Sequence, residues 1–206
     1  MLSAEEVYLL NNHVGSPADS IRLLANESLE TTVECVGPLY NQSCLYKNLY
    51  YANKTFFVLT TKGKNLPILT VRPNYYPPFD LTPSRLEFES YAQLKTFVRR
   101  VANPMLISNL TVHYNELLEF NIAHSLFDGL YPAYMALIRF APRHLYPFRL
   151  LVGVQPLNVP NCNDCWVIEV CRTFAGLGII RLSVLNSISI KRWFVFESLI
   201  MGSGNM

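Results

Sequence analysis

The chain has 206 residues, 17 Lys and Arg against 15 Asp and Glu for a formal charge of +2, half of its residues apolar and only 16% charged. Such a chain buries a sizeable core and does not belong to the disordered class, and its scattered basic residues offer no nucleic-acid-binding face. The most apolar stretch, Trp166 to Leu185, is interrupted by Glu169, Arg172 and Arg181, so no membrane span is expected.

The first residues, MLSAEEVYLL, carry two glutamates and no basic n-region, unlike an intact secretory signal. Residues 3 to 30 read as shallow helix, with a start at Ser16-Pro17-Ala18-Asp19 in which Ser16 is the cap and Pro17 lies in the first turn. From Thr31 the texture is β: TTVECV reads as a strand and NLYYANKTFFVLT as a hairpin turning at Ala52-Asn53-Lys54. Tyr40, Tyr46, Tyr50 and Tyr51 are suited either to sugar contacts or to strand packing, and packing is the preferred reading. Cys35 and Cys44 enclose a short loop and can pair in an oxidising compartment.

Five of the thirteen prolines fall between Asn65 and Pro83, which makes this stretch largely loop around a short ILTVR strand. Ser84 and Glu87 have capping-box spacing ahead of Leu86, Tyr91, Leu94, Phe97 and Val101, an approximately helical stripe. Beyond Asn103-Pro104 the order becomes regular. MLISNLTVHY is a buried-type strand, a helix follows, FRLLVGV is a strand, DCWVIEVCRTFAG is a helix ending at Gly176, and GIIRLSVL is a strand. This predicts an α/β fold with a parallel sheet and flanking helices. The organisation expected is one domain over residues 1–206, with a β-rich subregion 31–72, a Pro-rich loop 73–83 and a βαβαβ core 105–200. No G-x-G-x-x-G follows any strand, so no nicotinamide or flavin site is expected.

The central helix, within Phe120 to Phe148, combines a core face with chemically capable side chains. At about 100° per residue Leu126, Leu130, Ala133, Leu137 and Phe140 share one sector, while Asn121, His124, Asp128 and Arg139 share the opposite one beside Ser125. Pro132 clashes with the carbonyl of residue 128 in an α-helix, and Gly129 weakens the same place, so an irregularity is expected at Asp128. The alternative is an ordinary turn at Asp128-Gly129. Following a parallel strand, the front of this helix belongs at the carboxyl rim of the sheet, where such folds bind ligands.

Four N-x-[ST] triplets, at Asn26, Asn41, Asn53 and Asn109, point to a lumenal protein. The Cys162-Asn-Asp-Cys165 spacing has no second ligand pair, so disulfides or buried thiols are expected there, with Cys171, and no metal.

The stretch N-I-A-H-S-L-F-D-G-L-Y-P, with Cys35 and Cys44 before it and WFVFESLIMGSG after it, resembles the signature of glycosyltransferase family 61. Members of that family are inverting, nucleotide-sugar-dependent enzymes of the secretory pathway. The resemblance implies a Rossmann-like sheet forming one half of a GT-B arrangement, with the nucleotide-sugar held mainly by a C-terminal half. It covers an N-terminal half, so the chain is expected to be a fragment. It implies localisation in the endoplasmic reticulum or Golgi lumen, a nucleotide-sugar co-substrate, a glycan or glycoprotein acceptor, and no other cofactor.

The residues carried over are Asn121, His124 and Asp128. His124 or Asp128 would be the general base that takes the acceptor's proton, the two standing about 6 Å apart at i, i+4 on an α-helix. Asn121, with Ser125 beside it, would contact acceptor hydroxyls. Among the basic residues, Arg139, Arg143, His144 and Arg149 either meet a diphosphate or close the helix's C-terminal end. Glu197 and the Gly202-Ser203-Gly204 loop either present a site for an anion or form a plain chain end. The alternative function is a non-catalytic carbohydrate-binding or interaction module. A hydrolase ranks third, because Ser125 lacks a G-x-S-x-G context.

Overall fold

Strand β2 (Ser43–Ala52) is long and almost wholly buried, and the sheet is assembled on its two edges. In this computed structural model, residues 4–15, 28–38, 42–67, 69–71, 81–116, 124–140, 147–154 and 166–202 are described. One edge of β2 pairs antiparallel with β1 (Thr32–Val36) and, further along, with β3 (Thr55–Thr61), while β4 (Ser84–Phe88) lies parallel to β3. The other edge pairs antiparallel with β8 (Phe194–Met201). Beyond it follow β5 (Met105–Glu116), β6 (Phe148–Val154) and β7 (Gly176–Arg181), all parallel to β8. The result is an eight-stranded mixed α/β sheet in the order β4-β3-β2-β8-β5-β6-β7 with β1 beside β2.

The helices are α1 (Ala4–His13), α2 (Tyr91–Phe97), α3 (Tyr131–Phe140), α4 (Trp166–Ala175) and α5 (Leu182–Ser189); π-helical turns follow α2 at Val98–Ala102 and precede α3 at His124–Leu130. They divide between two faces. Along β8, Phe194, Phe196, Leu199 and Met201 pack in one cluster with Leu9, Leu185 and Ile188, which belong to α1 and α5. Val195 points the other way, into a cluster with Leu94 and Val98 around α2. Ile200 shares that second face, in a cluster with Ala133, Ala136 and Leu137 of α3 and Cys171 and Ala175 of α4.

Several sequence expectations hold. The β1 strand, the hairpin at Asn53-Lys54, β5, β6 and the helix stop at Gly176 stand where expected, and Gly176 has φ +78° as a helix-terminating glycine does. Cys35 and Cys44 face each other across β1 and β2 and form a disulfide. Tyr46, Tyr50 and Tyr51 are packed rather than displayed. Their hydroxyls donate to Leu69 O at 3.1 Å, to Leu29 O at 2.9 Å and to Asn186 Oδ1 respectively. Of the glycosylation triplets, Asn53 and Asn109 are exposed, whereas the Thr111 of the second is fully buried; Asn26 and Asn41 lie outside the described residues.

Other expectations are corrected. Ser84 caps no helix: Ser84–Phe88 is β4, held by its register on β3 from Phe57↔Ser84 to Thr61↔Phe88. The cap is Ser90, whose Oγ accepts from Gln93 N at 3.3 Å, and Val101 of the expected apolar stripe is 67% exposed. In GIIRLSVL only the first half is strand; from Leu182 the chain is helical, burying Leu185 and Ile188 at i, i+3. Among its described residues, the ILTVR segment contributes one bridge, Val71 to Leu81. The β-rich subregion joins the same sheet as the parallel strands through the pairing of β2 with β8. The Ser16 helix start lies outside the described residues.

Candidate functional site

From β5 the chain proceeds outward to β6 and β7, and then returns to lay β8 on the opposite side of β5. Strand order therefore reverses between β5 and β8, the position where open α/β sheets form a crevice beyond their carboxyl ends. β5 ends at Glu116 and β8 at Met201.

The motif segment follows β5. Of its residues Asn121 lies outside the described part of the chain, while His124, Ser125 and Asp128 lie on the π-helical segment His124–Leu130. The expected irregularity is present in the form of this wide turn. Pro132 is the second residue of α3 and has no amide to offer the carbonyl of residue 128. Immediately ahead of it the chain is wound with bonds reaching five residues instead of four. The α-helical i, i+4 geometry expected for His124 and Asp128 is thus not the backbone geometry found there. The core face is as expected: Leu130, Ala133 and Leu137 are buried, with Leu126 and Phe140 against them.

Two candidates from distant parts of the chain converge on Ser43. Arg139 Nη1 donates to Ser43 Oγ at 3.2 Å, and Ser43 is fully buried at the start of β2. Gly202, with φ +112°, packs on the same place: a Cβ there would lie 2.4 Å from Gln42 O and 2.9 Å from Ser43 Cα. Since Cys44 is paired with Met201, this junction is at the carboxyl end of β8, on the expected rim. Gly204 lies outside the described residues.

The remaining candidates are elsewhere. Glu197 is five residues before Gly202, about 16 Å back along β8, and its Oε2 accepts the backbone N–H of Asn109. Arg149 is 4% exposed and donates to Ser108 O at 2.7 Å; burial lowers the pKa of its guanidinium. It bonds to strand β5, whereas Arg139 bonds to Ser43 at the start of β2. Arg143 and His144 lie outside the described residues, as do Cys162 and Cys165, while Cys171 is buried on α4.

Sequence reading passed over His113. It is 3% exposed in the middle of β5, neither ring nitrogen has a hydrogen-bond partner, and burial pushes the imidazole down to about 4. Thr111, on the same face two residues earlier, is fully buried with its Oγ1 also unpartnered. The signal was present in MLISNLTVHY as two polar residues at period 2 in a buried-type run. Among the described residues no group of three or more His, Cys, Asp or Glu is arranged to hold a metal, and no helix is long and apolar enough to cross a membrane. No family model matches the chain, and no curated protein matches it.

Proposed function

We propose that this chain is the acceptor-side half of an inverting glycosyltransferase of the family 61 type, its parallel strands forming a Rossmann-like half of a GT-B arrangement. The observation that carries the reading is the reversal of strand order between β5 and β8. The stretch with Asn121, His124 and Asp128 issues from the first of these strands and Gly202 from the second. In this role His124 or Asp128 takes the acceptor hydroxyl's proton as that oxygen attacks the anomeric carbon, and the nucleoside diphosphate leaves from the opposite face. A positioned base is worth about 10²- to 10⁴-fold in rate. Arg139, at the carboxyl end of β8, is the candidate cation for the diphosphate. The Cys35–Cys44 disulfide supports an oxidising compartment such as the endoplasmic reticulum or Golgi lumen.

The test is calorimetric titration of the folded chain with a panel of nucleotide-sugars, followed by transfer assays on His124→Ala and Asp128→Ala. Saturable binding of one nucleotide would mean that a donor site is complete in this chain, no binding by well-folded protein would mean a half-enzyme or a binding module, and transfer lost in a variant that still folds supports the assigned base. Transfer that survives both substitutions removes the assigned base.

A second reading, a non-catalytic carbohydrate-binding or interaction module, is favoured by an exposed aromatic stripe. Phe127, Tyr131 and Tyr134 are 69%, 41% and 44% exposed, and Phe174 of α4 lies 6.2 Å from Tyr134 between ring centroids. Sugar binding that is lost in Tyr131→Ala and Tyr134→Ala, with no nucleotide bound, selects this reading.

A further inference from the structure

At the amino rim of the sheet three connections are tied together. The β2–β3 turn is bonded to the end of α5, Asn53 N–H donating to Ser189 O at 2.8 Å and Lys54 N–H to Ser189 Oγ at 3.1 Å. From Ser189 the chain turns through Ile190 and Lys191, where Lys191 N–H donates to Ile188 O at 3.2 Å, and enters β8 at Phe194. Just before β8, the Trp193 carbonyl accepts the Met105 N–H at 2.9 Å and its ring lies 5.5 Å from that of Phe97. Phe97 leads directly into the π-helical turn Val98–Ala102. In this wide turn Val98 and Ala102 are buried and the three residues between them are exposed, so Arg99, Arg100 and Val101 stand out as one bulge. A 2.8 Å bond from Asn103 N–H to Val98 O closes it. Turns of this kind are frequent at functional sites.

The fold thereby gathers basic residues that are scattered in sequence. Lys54, Arg99, Arg100, Lys191 and Arg192 are all exposed at this rim, and none of them forms an ion pair among the described residues. At the other end of β3 the pattern is different: Lys62 is paired with Glu89 and Lys64 with Glu30. Glu6 of α1 stands near the rim, its Oε1 accepting from Ser187 Oγ at 2.6 Å, and Arg192 Nη1 donates to Met105 Sδ at 3.5 Å. The cations remain in excess. Large aliphatic side chains are displayed beside them, with Val101 67% and Ile190 57% exposed.

Unpaired cations call for an anionic partner, and exposed aliphatic groups call for an apolar one. The phosphates of a nucleic acid answer only the first. An acidic phospholipid surface answers both, because cations reach its headgroups while aliphatic side chains enter the boundary with the acyl chains. We propose that the amino rim is a peripheral docking surface for membranes containing acidic phospholipids, with Arg99, Arg100 and Lys191 on the headgroups and Val101 and Ile190 below them. Gly202 lies at the far end of β8, eight residues from Phe194 and so about 26 Å away. Docking by the amino rim therefore leaves the carboxyl rim free. The surface is separate from the His124 segment and does not depend on the transferase reading.

The test is flotation of the 206-residue chain with vesicles of phosphatidylcholine alone, and with vesicles of phosphatidylcholine and phosphatidylserine in equal parts. Binding to the acidic vesicles only, weakening as salt is added, is the expected result. Arg99→Gln with Arg100→Gln is expected to lower affinity about 25-fold, at about fivefold per cation. Val101→Ser with Ile190→Ser changes no charge and is expected to lower it about tenfold. Lys62→Gln, at the opposite rim, is expected to bind as the parent does. All of these positions are exposed, so unchanged melting temperatures serve as the folding control. A short DNA duplex is the rival polyanion. The proposal is overturned if acidic vesicles are not bound, if neutral vesicles bind as well, if either double variant binds as the parent does, or if the duplex binds more tightly than the vesicles. Failure here leaves the nucleotide-sugar titration unaffected.

Discussion

Arg139 and Ser43, 96 residues apart in sequence, are joined by a 3.2 Å hydrogen bond that ties the last turn of α3 to the first residue of β2. Gly202 closes on the same serine from the end of β8. Three segments therefore meet at one buried residue, and the meeting tolerates no added volume.

Gly202→Ala is expected to cost about 3 kcal/mol or more, because its methyl group meets backbone atoms and its φ of +112° disfavours any side chain. Gly153→Ala is the control. Its Cβ would also be close to a neighbour, 2.8 Å from Asn115 Oδ1, but that atom is the end of a side chain that can turn away. A cost of about 1 kcal/mol or less is expected. Urea unfolding of the two variants measures the difference, and equal losses would contradict the assignment.

His113 gives a pH dependence. Its pKa falls from 6.5 to about 4 on folding, so between these values the unfolded chain binds more protons than the folded one. Stability is therefore retained above pH 6.5 and falls as the solution is acidified toward pH 4, by at most about 1.4 kcal/mol per pH unit from this group. His113→Phe removes two unpartnered nitrogens at similar volume. It is expected to raise the melting temperature at pH 5 and to flatten the acid limb; an unchanged limb would show that another group governs it.

Reduction of Cys35–Cys44 releases a short loop, with a sequence separation of 9. The chain-entropy account gives a loss of about 2–3 kcal/mol. Thermal melts with and without reductant measure it, and Cys35→Ala with Cys44→Ala is expected to match the reduced curve.

Lys54 occupies the second turn position of the β2–β3 hairpin at φ 60°, after Asn53 at φ 45°. Asparagine-glycine is the preferred pair for such a turn. Lys54→Gly is therefore expected to stabilise by about 0.5–1 kcal/mol, and the 3.1 Å bond from its backbone N–H to Ser189 Oγ can persist. A drop in stability would mean that the lysine side chain contributes more than its strain.

Much of the α/β pattern was legible because it is written locally. The β5 and β6 strands are apolar runs, α4 stops at a glycine, and the hairpin turn carries its asparagine. What could not be read is set by partners distant in sequence. Ser84 has good capping-box spacing, but the free edge of β3 recruits its segment as a strand. Leu182 to Leu185 has strand-like residues, but burying Leu185 and Ile188 against the sheet requires a helix. At the candidate site, Pro132 announced an irregularity without saying that the chain widens into a π-helical turn. Ser43 gave no signal at all, because its importance comes wholly from what Arg139 and Gly202 bring to it.

The position of β8 imposes an order of events on the growing chain. β2 and β5 are not neighbours; the strand that separates and joins them is made from residues 194–201. Until those residues are synthesised, the hairpin region and the parallel strands each have an unpaired interior edge, and contacts of such sequence separation form slowly. Every earlier intermediate carries two edges open to the wrong partner. Chains stopped before residue 194 are expected to aggregate, and supplying residues 190–206 as a separate peptide is the direct way to ask whether the two halves are already formed and waiting.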